Sequence, residues 1–118
     1  MKTTVIVGVA TAAIGVLVGI QLPRGVISEP VSITTFKIKI PFHKWAAGFD
    51  SKEAHKMHKK NDINPIFRGV RLDDPRQVVV IHQSKPGAVE QLLSANKKMI
   101  ESTGHVLWTT ETTNWSFK

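Results

Sequence analysis

Cysteine is absent from the 118-residue chain. That excludes a disulfide framework, a lipid-modified cysteine, a thiolate nucleophile and a cysteine-based zinc site. Acidic residues are scarce: 9 Asp and Glu stand against 16 Lys and Arg, a formal net charge of +7. The familiar catalytic signatures are missing too. There is no P-loop, no glycine-rich dinucleotide fingerprint, no serine-nucleophile elbow and no paired-carboxylate arrangement. What is there is an ordinary globular mixture, 42% hydrophobic and 21% charged. At this length it fits one domain, and it excludes a wholly disordered, collagenous or multi-span membrane chain.

Residues 3–22 carry no charge and lie between Lys2 and Pro23-Arg24. At about 1.5 Å per residue, a helix over them would reach about 30 Å, the thickness of a bilayer core. Residues 1–25 are therefore expected to form a single-pass transmembrane anchor, which places the protein at a membrane. The alternative is a secretory signal, with export after cleavage. Its best cleavage site, Val26-Ile27-Ser28, sits close to Pro30 and is a mediocre one. Lys2 precedes the run and Arg24, Lys37 and Lys39 follow it, so orientation is not encoded. Residues 26–31 read as a linker, and residues 32–118 as the folded domain.

Within that domain Phe36, Ile38 and Ile40 alternate with Thr35, Lys37 and Lys39, the pattern of a half-buried strand ended by Pro41. Phe42, Trp45 and Phe49 then recur at helical spacing. Gly48 and Asp50-Ser51 interrupt the helix, and Ser51 can cap a second piece over residues 52–60, with Ala54 and Met57 inward. Ile66, Phe67, Val70 and Leu72 predict another strand, with Gly69 as a bulge or close-approach point. Asp73-Asp74-Pro75-Arg76 reads as a turn, and residues 78–81 as a strand buried on both faces. A helix opened at Pro86 carries Val89, Leu92, Leu93, Asn96, Met99 and Ile100 on one stripe and stops at Gly104. Residues 106–115 complete a last strand. Two strand–helix–strand halves predict an α+β, ferredoxin-like βαββαβ sandwich. Its four-stranded antiparallel sheet has the first and third strands central.

Two helices cover only one face of such a sheet. Yet residues 78–81 are apolar toward both faces, and Trp108 and Trp115 lie on opposite parities. A small domain with a wet apolar face is expected to associate, so a homodimer through the sheet is predicted.

The Phe42, Trp45, Phe49 stripe after a first strand, the strand around Ile66 to Leu72, the Asp-Pro turn and the Pro86-initiated helix together resemble the dimeric α+β-barrel superfamily. That superfamily includes antibiotic-biosynthesis monooxygenases and stress-responsive barrel proteins. More narrowly, the domain resembles small cyanobacterial barrel-type proteins of unknown function. The resemblance lies in element order and apolar stripes, with no diagnostic catalytic motif. It implies ligand binding between sheet and helices; some members degrade haem and some oxidise aromatic polyketides.

The candidate pocket residues are Trp45, Phe49, His82, Asn96 and Trp108, with Met57 and Met99 closing the space. Packing alone also accounts for an aromatic stripe at this spacing. His82 shares a face with Val78 and Val80 and is either a satisfied core histidine or a ligand contact. His55 and His58 stand at i, i+3, but spacing supplies no third ligand, and neither a metal nor a cofactor is expected. Lys52, Lys56, Lys59 and Lys60 make a basic helix face that would attract anionic lipid headgroups. No aromatic-interleaved basic motif is present, so no nucleic-acid partner is expected. The expected function is a membrane-tethered dimeric binding or interaction module. The alternative is a small monooxygenase-like barrel enzyme acting on an apolar or aromatic ligand, and the ligand itself is not specified.

Overall fold

The alternation begins earlier than the aromatic positions suggest. Val31–Ile38 form β1 in the computed structural model, which describes residues 30–116. Ser32, Thr34, Phe36 and Ile38 are buried, while the residues between them are half-buried or exposed. Pro41 then supplies the carbonyl that accepts from the Lys44 and Trp45 amides, starting α1 (Phe42–Phe49). The predicted interruption follows. The Ser51 side chain accepts from the Ala54 amide at 3.2 Å and caps α2 (Lys52–Lys60), with Glu53 in its first turn.

β2 (Asn64–Arg71) and β3 (Asp74–Gln83) are joined by a tight connection at Leu72 and Asp73. The turn therefore falls earlier than the Asp-Pro signal suggested. Pro75 opens β3 instead, near a strand end where its missing donor is tolerated. Gly69 is a close-approach point and not a bulge: a Cβ there would lie 3.0 Å from the Phe67 ring. The register shifts fall on either side, between Pro65 and Phe67 and between Val70 and Arg71.

The second predicted helix is two: α3 (Ala88–Ala95) and α4 (Lys97–Ser102). Asn96 is the break, with φ −129° and ψ 34°. Its side-chain Nδ2 donates to the Leu92 carbonyl at 2.8 Å, so this polar residue bonds its own helix backbone. Gly104, at φ 96°, turns the chain into β4 (His105–Trp115), and a Cβ there would come within 2.9 Å of Ile40.

The strands form one antiparallel sheet in the order β2-β3-β1-β4, so β1 and β3 are central. This is the ferredoxin-like α+β arrangement. Phe36, Ile38, Val78 and Val80 on the sheet pack with Trp45 and Ala46 of α1. Ile63, Val89 and Leu92 make a second cluster beneath α3. At about 25 cal/mol per Å² of apolar surface removed from water, these clusters are the main favourable term in folding.

The other face of the sheet is covered by no described element. A row of paired residues, Phe67, Ile81 and Ile33, crosses its centre, and all three are half-buried. Around that row Val31, Val79 and Trp115 alternate with Thr35, Thr113, Gln83 and Glu111, so the face is apolar through its middle and mixed around it. The sequence parity of Trp108 and Trp115 does not survive in the strand. β4 slips register against β1 between Thr35 and Lys37. Both tryptophans are consequently exposed, at 87% and 55%.

The anchor or signal expected at residues 1–25, and residues 26–29 of the linker, lie outside the described residues. Among the described residues no helix is long and apolar enough to cross a membrane.

Candidate functional site

Helices and sheet do not close fully on one another. Between them is a cavity of about 680 Å³, whose walls come from β1, β3, all four helices and the start of β4. Its aromatic side is built by the α1 stripe. Trp45 stacks between Phe42 and Phe49, with centroids at 5.8 and 5.0 Å, and meets Phe36 edge-on at 5.5 Å. Spacings of three and four put these rings on one helix face, and β1 parity aims Phe36 at them. Val80, Val89 and Leu92 supply the aliphatic side.

Three buried histidines interrupt this apolar lining: His58, His82 and His105. His105 lies parallel to Phe36 at 3.7 Å, and its Nε2 is 2.7 Å from the Thr110 hydroxyl. His58 and His82 face one another at 5.7 Å between centroids, and Phe49 sits 5.1 Å from His58 and 6.4 Å from His82. The Nδ1 atom of His82 is buried and has no hydrogen-bond partner. A buried polar atom without a partner costs about 1–3 kcal/mol, so native proteins rarely leave one.

Burial in apolar surroundings disfavours the imidazolium. It lowers His82 from 6.5 to about 4, with a smaller contribution from the neighbouring His58. Burial alone lowers His105 to about 4. His58 is lowered in the same direction, by burial first and then by His55. At neutral pH all three rings are neutral, each with one N–H donor and one acceptor nitrogen.

Of the residues expected in a pocket, Trp45, Phe49, His82 and Asn96 line this cavity, with Met57 and Met99 at its edge. Asn96 is engaged with the Leu92 carbonyl through its amide nitrogen. Trp108 is not among them. It borders a shallow depression of about 950 Å³ on the opposite face, beside Lys37, Val79 and Glu111. The β4 register slip is the physical reason, and no periodicity in the sequence announces it. His105 escaped the sequence reading because it immediately follows Gly104, where a strand start is hard to place. Its pairing with Ile38 puts it on the helix side.

His55 and His58 part company on α2: His58 is buried and His55 is exposed. His58 also borders a surface groove of about 480 Å³, together with His55, Lys59, Asp62 and Ser84. His58 thus borders both that groove and the inner cavity. Among the described residues no three His, Cys, Asp or Glu side chains are grouped to hold a metal.

The site can therefore enclose an apolar or aromatic body, and His82 on its wall carries a buried imidazole nitrogen without a partner. No curated protein matches the chain. Among solved structures, the chain is similar to a monooxygenase from the gene ActVA-Orf6 of Streptomyces coelicolor, determined in complex with the ligand nanaomycin D. The identity is 14% and the TM-score 0.48, over 76% of this chain and 88% of that one. The family described as "Domain of unknown function (DUF3764)" matches residues 28–117, and the chain belongs to that family.

Proposed function

We propose that this domain is a small monooxygenase-like barrel enzyme that acts on an apolar or aromatic ligand held between helices and sheet. One observation carries the reading. A buried imidazole nitrogen, His82 Nδ1, is left without a partner on a residue that lines an apolar cavity of about 680 Å³. Such a volume lies within the about 300–1,000 Å³ of small-molecule sites, which are mostly apolar with a few placed polar groups. A ligand hydroxyl or carbonyl at His82 would supply the missing bond.

The lowered pKa of His82 limits what it does. A group at about 4 is a weak base at neutral pH, so its first role is to orient the ligand through a hydrogen bond. Full proton transfer becomes favourable only as an anion forms on the ligand beside it. The adjacent charge then raises the imidazole pKa in the same dry space. Trp45 and Phe49 fix the ring plane of an aromatic ligand by stacking.

The test is a calorimetric titration of the full chain with naphthol and with naphthalene. Naphthol should bind about tenfold more tightly, since a charge-free buried hydrogen bond is worth about 1 kcal/mol or slightly more. His82→Leu should erase that preference while naphthalene still binds. Equal binding of both compounds to the unaltered chain would remove His82 from the site.

Two further parts of the reading rest on other observations. Pairing of the open sheet face with a second copy is proposed from its central row of Phe67, Ile81 and Ile33. Membrane attachment is proposed from the uncharged run at residues 3–22 alone. Resistance to a carbonate wash tests it, and release into the wash argues for a cleaved signal.

A further inference from the structure

The apolar cavity has a charged mouth, and the charge has one dominant sign. We infer that its ligand is an amphiphilic monoanion, with the apolar body inside and an acidic head between Lys56 and Lys60; this deepens the pocket reading above and rests on it. Lys56 and Lys60 both border the cavity and both are exposed, which places them where it opens to solvent. They stand one helical turn apart on α2, at i and i+4, and so share a face.

Among the described residues no carboxylate pairs with either lysine. The ion pairs among the described residues are Lys37–Asp74, Arg68–Asp50 and Arg71–Asp73, all elsewhere. Among the described residues Glu53 is the one acidic side chain bordering the cavity, against two cations. Like charges at i, i+4 repel. An anion between them would relieve that repulsion where the field of a basic chain, +7 overall, already favours it.

The interior sets the rest of the ligand. Phe49, Val80 and Leu92 offer no hydrogen bonds to a body, while His82 stands at depth with a nitrogen that lacks a partner. An acid whose whole surface is polar would leave these side chains uncovered, and a neutral hydrocarbon would leave both the lysines and His82 unused. A flat aromatic or long apolar body ending in a carboxylate or sulfonate uses all three. The α2 lysines that the sequence offers as a lipid-facing patch thus acquire a second role at the cavity mouth.

Two fluorescent probes with the same aromatic frame isolate the head group: anilinonaphthalene sulfonate is the anion, and N-phenylnaphthylamine lacks the sulfonate. Each is titrated into the full chain, read by energy transfer from Trp45 in a Trp108→Phe, Trp115→Phe background. The anion should bind about 5- to 10-fold more tightly, the yield of one or two exposed charge pairs. In Lys56→Gln, Lys60→Gln the anion should weaken to the affinity of the neutral probe, which should itself be unchanged.

A third variant keeps the two levels of inference apart. Gly48 borders the cavity, and a Cβ added there meets nothing within 4 Å, so Gly48→Phe starts a bulky side chain from open space at the cavity's border. It should weaken both probes together. If the anion keeps its advantage in the double lysine variant, or never has one, the acidic head is refuted; a neutral probe still blocked by Gly48→Phe then leaves the pocket intact. If neither probe responds to Gly48→Phe, the pocket itself is refuted, and the inference with it.

Discussion

Replacing His82 by leucine should make the empty protein more stable and less able to bind. The residue is 5% exposed, and its Nδ1 is unpartnered. Removing an unsatisfied buried polar atom returns about 1–3 kcal/mol, and the adjoining cavity leaves room for leucine without overpacking. A net gain of about 1 kcal/mol should raise the melting temperature of a domain this size by about 4–8 °C.

The acid limb of stability supplies an independent readout. His82 and His105 each have a folded pKa near 4, below the ordinary 6.5. As pH falls from 6.5 toward 4 the unfolded chain takes up protons that the folded chain refuses. Stability is therefore full above about 6.5 and drains through this window, at up to about 1.4 kcal/mol per pH unit for each histidine. Below about 4 the loss levels off. His82→Leu should remove up to about half of that slope, since His105 remains and His58, lowered in the same direction by burial, adds to what is left. Thermal unfolding followed by circular dichroism from pH 7.5 to 4.5 measures both quantities. A melting temperature lowered by several degrees, with the slope untouched, would refute the idea of a strained, unpartnered imidazole.

Trp45→Ala should cost about 3–5 kcal/mol, read as a fall in the denaturant midpoint, because that ring joins Phe36, Phe42 and Phe49. Two glycine substitutions should move oppositely in thermal melts. Gly104→Ala should destabilise by about 1–2 kcal/mol, given φ 96° and the 2.9 Å approach to Ile40, whereas Gly48→Ala within α1 should stabilise by up to about 1 kcal/mol. Arg68→Ala should lower stability by about 1 kcal/mol in low salt and less in high salt, as it loses both Asp50 and its position over the Phe42 ring at 5.8 Å. Ile81→Lys, on the open face, should leave the fold intact and yield a monomer by light scattering; an unchanged mass against a dimeric parent would move the interface elsewhere.

Much of the fold was legible because its signals are local and periodic. The Phe42, Trp45, Phe49 spacing, the Ser51 cap and the two-faced apolarity of residues 78–81 each follow from side-chain chemistry over a few positions. Asn96 shows the limit of that approach. On the helical template it belongs to an apolar stripe, yet it breaks the helix, because a short amide can bond its own backbone. Trp108 shows another limit. Strand parity predicts a face only while the register holds, and β4 slips against β1.

The site was legible in its aromatic half and opaque in its polar half. Trp45, Phe49 and His82 could be placed together by periodicity. Nothing local could reveal that His82 Nδ1 would lack a partner, or that His58 would turn inward while His55 stayed out. Those outcomes depend on how elements distant in sequence are packed. The same holds for Lys56 and Lys60, whose charge was visible but whose position at a cavity mouth was not.

Nitrogen-detected NMR of the histidine rings during a naphthol titration addresses the cavity and its anchor together. The Nδ1 resonance of His82 should shift as its vacant hydrogen-bonding position is filled, while that of exposed His43 stays in place. A saturable binding event that leaves His82 unmoved, or no binding to the folded chain at all, would contradict the assignment of this cavity as the ligand site.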